Sequence, residues 1–200
     1  INPTPVIGMV GKLDDVEKAI STQWKNIHDP IWLIGSHKSQ TTIAASSYLE
    51  YFHGEITGRP PKINLHDEKF CQIFLRNAIE ENFVLSSHDI SDGGLAIALA
   101  ECCILSSKGA TIELQKDLSR DDNLLFAEGG SRIIFSIDKT KEKEWLSYLK
   151  NIQINSHSSV FLKKIGFVSG EALNIKIQEK NICNIRVEEL TEKFNNSISG

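Results

Sequence analysis

The chain has 200 residues, of which 40% are hydrophobic and 24% are charged, and its formal net charge is −4. This composition is typical of one globular domain or two small ones, and it gives no indication of disorder. Because the charge is negative and no apolar run approaches the roughly 20 residues that cross a bilayer, we expect no nucleic-acid partner, no membrane partner and a cytoplasmic location.

The first eleven residues predict an extended linker that enters a strand, because Pro3 and Pro5 precede an apolar run. The chain begins with Ile1, and its only methionine is Met9. We therefore expect a fragment of a longer protein, with a linker and entering strand at residues 1–11 and one domain at residues 12–200.

Strands and helices then alternate along the chain. The first half predicts, in order, a strand at Pro30–Gly35, a helix at Gln40–Phe52, a break at Gly58–Pro61, a helix at His66–Asn82, a strand at Phe83–Ser87 and an apolar helix at Leu95–Leu105. The second half predicts a strand at Ala110–Leu114, a short helix at Arg120–Leu125, a strand at Arg132–Ile137, a helix at Lys141–Lys150, strands at Lys163–Val168, Ala172–Ile177 and Ile182–Val187, and a helix from Glu188 toward Asn195. This order predicts an α/β (α+β) fold with a mixed sheet covered by helices.

The junction before the apolar helix carries the strongest chemical signal. Asp89, Ser91 and Asp92 precede Gly93 and Gly94, at the start of a helix that is apolar on almost every face. Asp92 is placed to cap the helix, and the glycines would let a ligand approach backbone N–H groups that favour anions.

Carboxylates beside an anion would repel it unless a cation lies between them. Mg²⁺ binds carboxylate and phosphate oxygens together, so the junction predicts a magnesium-bridged phosphate site. The alternative interpretation is a buried helix that is capped after a tight turn, with no ligand.

A second candidate loop, Phe126–Arg132, contains Glu128, Gly129, Gly130 and Arg132. A ligand-binding loop and a plain hairpin explain it about equally well. The chain has no Walker A pattern and no G-x-G-x-x-G, so any nucleotide site must be of another type.

The four cysteines include no C-x-x-C pair and the six histidines are scattered, which disfavours zinc and predicts cysteines that are small buried residues. A Ser–His–Asp hydrolase is disfavoured because Ser87, His88 and Asp89 are adjacent on a strand and point to alternate faces.

Several segments together resemble phosphoribosylformylglycinamidine synthase. They are Pro3–Gly8, Gly58–Pro61, His88–Ala96, Glu128–Arg132 and Ile165–Val168, and their order is similar to that of the final C-terminal domain in that family. The domain belongs to the superfamily of aminoimidazole ribonucleotide synthetase. The resemblance spans essentially the whole chain, and it implies an α/β domain with a mixed sheet.

The resemblance implies an ATP-dependent C–N ligase of purine biosynthesis. That enzyme converts formylglycinamide ribonucleotide, ATP and glutamine-derived ammonia into formylglycinamidine ribonucleotide. The implied cofactors are ATP or ADP and Mg²⁺. The implied partners are upstream ATP-binding domains of the same parent chain, a glutamine amidotransferase subunit or domain, a small accessory subunit and the ribonucleotide substrate. No catalytic residue is expected in this chain, and the isolated fragment is expected to be inactive.

By resemblance, Asp89 would bind magnesium at an auxiliary nucleotide site, Ser91 would contact the nucleotide, and Asp92, Gly93 and Gly94 would shape the loop. Glu128, Ser131 and Arg132 would line the neighbouring cleft. One departure is that the family often carries Gly-Gly-Ser-Glu-Tyr where this chain has Ala44-Ala45-Ser46-Ser47-Tyr48. The alternatives are a non-catalytic scaffold domain holding a structural Mg-nucleotide or none, and another ATP-dependent enzyme of the same superfamily.

Overall fold

The computed structural model describes residues 6–36, 41–115, 120–155 and 160–198. Within these ranges the helices are Ser47–His53 (α1), Leu65–Glu80 (α2), Gly94–Ser106 (α3), Asp121–Phe126 (α4), Glu142–Asn155 (α5) and Val187–Ile198 (α6). The strands are Pro30–Ser36 (β1), Val84–Asp89 (β2), Gly109–Leu114 (β3), Ile133–Ile137 (β4), Val160–Ser169 (β5), Ala172–Ile177 (β6) and Lys180–Arg186 (β7). Short 3-10 helices lie at Val16–Lys18 and Lys139–Lys141.

The strands form one sheet in the order β2-β4-β1-β5-β3-β6-β7. β3 and β6 pair in parallel, and the other neighbouring strands pair antiparallel. The predicted α/β (α+β) fold with a mixed sheet is therefore confirmed.

Helices cover both faces of this sheet, and β1 shows why. Its side chains alternate, so that Ile31 and Leu33 enter one apolar core while Trp32 and Ile34 enter the other. The first core contains the buried side of α3 and the first residue of α6, and the second contains α2 and the indole of Trp145 from α5. A strand that is buried on both faces needs a continuous apolar run, which is what the sequence of β1 supplies.

Helix α3 is the buried helix that its composition predicts. The exposed fraction is 1% or less for Leu95, Leu99, Cys102 and Cys103. The four cysteines are free thiols, three of them buried and Cys183 half-buried. The expectation that they are small buried residues is confirmed for the first three, and for Cys183 in part.

The first predicted helix, Gln40–Phe52, is too long by about two turns. Gln40 lies outside the described residues, and the helix α1 begins only at Ser47. Thr42 instead exchanges two backbone hydrogen bonds with Glu128, with N···O distances of 3.2 and 3.0 Å, and Ala45 has a left-handed φ of 53°. Ser46 then caps α1 by accepting from the amide of Leu49. A long-range backbone pairing has overridden the local helical pattern.

Residues 6–13 form neither a helix nor a strand, and the side chains of Val6, Ile7, Met9 and Val10 are exposed. Pro3 and Pro5 lie outside the described residues. The strand that the sequence predicts here needs a partner strand, and the described residues offer none, so its pairing with an upstream domain stays a prediction. Among the described residues, no helix is both long and apolar enough to cross a bilayer.

Candidate functional site

A cleft of about 610 Å³ lies where β2 and β4 meet the loops around them. β2 and β4 are neighbours, and the register places His88 opposite Ile134 and Asp89 opposite Ile133. The end of β2 and the start of β4 therefore lie side by side. The two candidate loops, the β2–α3 junction and Phe126–Arg132, are adjacent for this reason. The cleft is lined by Ala44, Ala45, Pro60, Pro61, Glu68, Gln72, Asp89, Ile90, Ser91, Asp92, Glu128, Gly129, Gly130, Ser131, Arg132 and Ile133.

Three of the five residues predicted to bind metal or nucleotide line this cleft, and so do Glu128, Ser131 and Arg132. Asp89 is the last residue of β2, and its side chain is 74% exposed. Ser91 and Asp92 follow it, and both are exposed at the cleft. The structure thus brings together the carboxylate, the hydroxyl and the second carboxylate that the sequence singles out. Their binding roles stay predictions.

The prediction that Asp92 caps α3 is wrong. The N-cap residue is Gly93, with φ of 74°, and no side chain of the N-cap residue makes a capping hydrogen bond. The Gly93 amide instead donates to Oε1 of Glu128 at 2.8 Å. A carboxylate from a distant loop therefore satisfies a backbone donor at the N-terminal end of α3.

The glycines of the junction are required by backbone shape and by packing. Gly94 has φ of 70°, and a Cβ there would lie 2.7 Å from the carbonyl carbon of Phe126 and 2.8 Å from the carbonyl oxygen of Ala127. Gly94 is buried and is not among the residues that line the cleft. Gly94 thus allows α3 to pack closely against the end of α4. No contact of Gly94 supports its predicted role in cofactor binding.

Glu128 connects three parts of the cleft. Its Oε1 accepts from the amide of Gly93 at 2.8 Å and from the amide of Ser47 at 2.9 Å. Its backbone pairs with Thr42. One carboxylate therefore lies at the N-terminal ends of α1 and α3, where both helix dipoles favour negative charge. The sequence placed Glu128 beside the cleft and gave no indication of this bridging role.

Helix α2 supplies a wall of the cleft that the sequence analysis missed. Oγ of Ser131 donates to Oε2 of Glu68 at 2.6 Å, and Gln72 lies one turn further along α2. Ser131 is a non-glycine residue with a left-handed φ of 61°, a conformation that costs about 1–2 kcal/mol. The helical spacing of apolar residues in α2 predicts which face packs in the core. It predicts no role for the polar face.

Arg132 is the one basic residue among those that line the cleft, and it is 9% exposed. Its Nη2 donates to the carbonyl oxygen of Ala127, while its Nε has no hydrogen-bond partner among the described residues. Burial lowers the pKa of the Arg132 guanidinium to about 10, and the nearby Glu128 opposes that shift. The group remains charged at neutral pH.

His88 lies behind the cleft, between two carboxylates. Its Nε2 is 2.9 Å from Oε2 of Glu101 on α3, and its Nδ1 is 3.4 Å from Oδ1 of Asp89. Among the described residues, no three His, Cys, Asp or Glu side chains converge closely enough to form a metal site from protein ligands alone. A metal ion held by the described residues would therefore need further ligands from water or from a bound molecule.

A family model of the AIR synthase related protein, C-terminal domain, matches residues 26–156. That match covers more than half of the chain. The chain belongs to this family. Its β2–α3 junction and its Glu128–Arg132 loop both fall within the matched residues, so the cleft is part of the family domain.

Curated relatives extend the likeness to the whole chain. A phosphoribosylformylglycinamidine synthase subunit PurL from Prochlorococcus marinus strain MIT 9312 is 84% identical over 200 residues, which cover 100% of this chain and 26% of the relative. The protein of the same name from strain MIT 9301 is 79% identical over 199 residues. The chain thus spans about a quarter of the length of these relatives.

Solved structures share the fold. Thermotoga maritima PurL complexed with FGAR has a TM-score of 0.66 and 16% identity, covering 88% of this chain and 30% of that chain. The same protein complexed with ATP has a TM-score of 0.65 and 14% identity, covering 88% of this chain and 28% of that chain. At these identities the likeness shows the fold alone.

Proposed function

We propose that this chain is the C-terminal domain of a phosphoribosylformylglycinamidine synthase. The observation that carries the proposal is the 84% identity to a PurL subunit along the full length of the chain. The parent protein would be an ATP-dependent C–N ligase of purine biosynthesis. It would convert formylglycinamide ribonucleotide and glutamine-derived ammonia into formylglycinamidine ribonucleotide, with ATP activating the amide oxygen before ammonia displaces phosphate.

The contribution of this chain would be a nucleotide-binding wall rather than the reacting groups. We assign no catalytic residue to it. Asp89 would bind Mg²⁺, the hydroxyl of Ser91 would contact a phosphate of ATP or ADP, and Asp92 with Gly93 would shape the loop. Gly94 would act through the packing of α3 on α4. Since one wall cannot align substrate and nucleotide, we expect the isolated chain to be inactive.

The residues of the cleft fit magnesium in one particular way. Mg²⁺ usually keeps several waters and is held by one or two carboxylates together with phosphate oxygens. The exposed carboxylate of Asp89, with Asp92 three residues along the chain, is a donor set of that kind. When bound, the ion would neutralise the acids of the cleft and polarise the phosphate oxygens.

A second candidate is a scaffold role without nucleotide. Glu128 favours it, because its carboxylate already occupies the amide at the N-terminus of α3 where an anion would bind. The substitution of Ala44 and Ala45 for the glycines that are frequent in the family also narrows this part of the cleft. The two candidates differ in a measurable property, namely nucleotide affinity.

The remaining assignments concern the parent protein. We propose that residues 1–11 link this domain to an upstream ATP-binding domain, and that residues 12–200 form the C-terminal domain. The proposed partners are those upstream domains, a glutamine amidotransferase subunit or domain, a small accessory subunit and the ribonucleotide substrate. The proposed location is the cytoplasm.

The test uses the full-length protein. Purified protein should convert formylglycinamide ribonucleotide in the presence of ATP and ammonia, and lack of turnover would contradict the ligase assignment. In the same protein, Asp89→Asn should weaken Mg-ADP binding about tenfold or more by calorimetry, since a hydrogen bond or ligand contact to a charged group is worth ~1.5–3 kcal/mol. Asp14→Asn, at an exposed position outside the cleft, is the matched control. Equal affinities in the two variants would favour the scaffold.

A further inference from the structure

Within the cleft, Arg132 presents a buried positive charge without an ion-pair partner. It is 9% exposed, and no carboxylate of the described residues lies within ion-pair distance of its guanidinium. Its Nη2 donates to the carbonyl oxygen of Ala127, and its Nε has no partner in the described part of the chain. A buried charge of this kind is costly unless it is paired.

Glu128, whose charge acts on the Arg132 guanidinium, is already hydrogen-bonded to other groups. Oε1 of Glu128 accepts from the amides of Gly93 and Ser47, at 2.8 and 2.9 Å. Glu68 accepts from the hydroxyl of Ser131 at 2.6 Å. Besides the exposed acids Asp89 and Asp92, the cleft therefore contains two acids that are hydrogen-bonded to other groups and one buried cation without an ion-pair partner.

The N-terminus of α3 does not face the cleft, because Gly93, Gly94 and Leu95 are buried and are not among the residues that line it. The amide of Gly93 donates to Glu128, and the amide of Gly94 donates to the carbonyl oxygen of Ser91 at 3.1 Å. By contrast, Gly129 and Gly130 line the cleft, and their backbone amides donate to no acceptor within the described residues. These two donors lie on the loop that leads into β4, next to Arg132.

We propose that Arg132, together with the Gly129–Gly130 backbone, binds the phosphoryl group of the ligand in this cleft, in place of the N-terminus of α3. The proposal rests on the proposed function, since it names the anion-binding residue of the same site. Asp89 would hold the cation, and Arg132 would contact the phosphate itself. A guanidinium suits that position because it presents several donors in a fixed planar geometry.

The experiment follows Mg-ADP binding to the full-length protein by calorimetry. The binding event to be followed is the one that Asp89→Asn weakens. Arg132→Met keeps an unbranched apolar side chain and removes the guanidinium with its charge, and it should weaken that event tenfold or more. Arg76→Met removes an exposed arginine of α2 outside the cleft and is the matched control, with unchanged affinity expected.

Three outcomes separate this inference from the proposed function. If Asp89→Asn weakens binding and Arg132→Met does not, the phosphoryl role of Arg132 is wrong while the nucleotide site stands. If neither variant weakens binding, the nucleotide site itself is wrong. If Arg132→Met weakens binding only in protein whose melting temperature without ligand has also fallen, the residue has a structural role and the inference is overturned.

Arg132→Lys covers the case in which the methionine variant does not fold. It keeps the positive charge and loses the planar set of donors. Weaker Mg-ADP binding with an unchanged melting temperature of the free protein would support the inference. Wild-type affinity in Arg132→Lys, with Arg132→Met unfolded, would overturn it.

Discussion

Substitution of Gly94 by alanine tests how α3 is held at the cleft. Gly94 has a left-handed φ of 70°, which costs an alanine about 1–2 kcal/mol. The new Cβ would also lie 2.7–2.8 Å from backbone atoms of Leu125, Phe126 and Ala127, which cannot rotate away as a side chain can. Forced movement of packed backbone costs a further ~1–3 kcal/mol, so Gly94→Ala should lower the free energy of unfolding by about 2–5 kcal/mol.

Gly93 provides the matched comparison. Its φ of 74° imposes the same conformational cost, but its nearest contact would be Cγ1 of Ile97, at 2.4 Å, which belongs to an exposed side chain. Gly93→Ala should therefore lower the free energy of unfolding by less than Gly94→Ala does. In Gly93→Ala, Ile97→Ala removes the two γ carbons and leaves Cβ of residue 97 at 2.9 Å, so it should recover part of the steric loss. In Gly94→Ala the same substitution should recover nothing.

Urea unfolding followed by tryptophan fluorescence measures both variants, because all three indoles are buried. If the free energy of unfolding falls by about 2 kcal/mol per M urea, a loss of ~3 kcal/mol in that free energy moves the urea midpoint by about 1.5 M. A Gly94→Ala midpoint within error of the wild type would refute the argument. So would equal losses in the two alanine variants, since the argument depends on backbone being less compliant than a side chain.

Two further predictions concern stability. Ala45 has φ of 53°, a conformation that glycine adopts freely. Ala45→Gly should therefore leave the free energy of unfolding unchanged or raise it by up to about 1 kcal/mol. Urea titration measures this, and a clear loss of stability would contradict it. Burial raises the pKa of the Cys71 and Cys103 thiols to about 12, so they stay protonated in the folded chain while the unfolded chain ionises above pH ~8.5. The resulting stabilisation is fully present below pH ~8.5 and falls by up to about 1.4 kcal/mol per thiol for each pH unit above it, and a urea midpoint that stays constant from pH 8 to 10 would contradict this.

The sequence was sufficient for most of the fold because its elements have a strong local pattern. The apolar run of β1 and the helical spacing of α2 both predict elements that the structure contains, with ends shifted by one or two residues. α3 is apolar on nearly every face, and it is buried. In each case the local pattern and the tertiary environment favour the same conformation.

The failures occur where distant residues decide the local structure. Asp92 has the right chemistry for an N-cap, yet Gly93 takes that position because Glu128 reaches the amide from another loop. The helix predicted from Gln40 begins only at Ser47, because Thr42 pairs with Glu128. A periodicity argument considers neighbours in sequence and has no access to a contact across 35 or 81 positions.

The same residue explains why the two motifs of the cleft work as one unit. Glu128 lies four positions before Arg132, and its carboxylate holds the amides of Gly93 and Ser47 while Arg132 stays without an acid partner. If Glu128 instead paired with Arg132, the guanidinium would be neutralised and the amide of Gly93 would be left without a partner. By binding backbone donors, the carboxylate fixes the β2–α3 junction and leaves the positive charge available. The loop therefore supplies both the support of the junction and the cation that faces it.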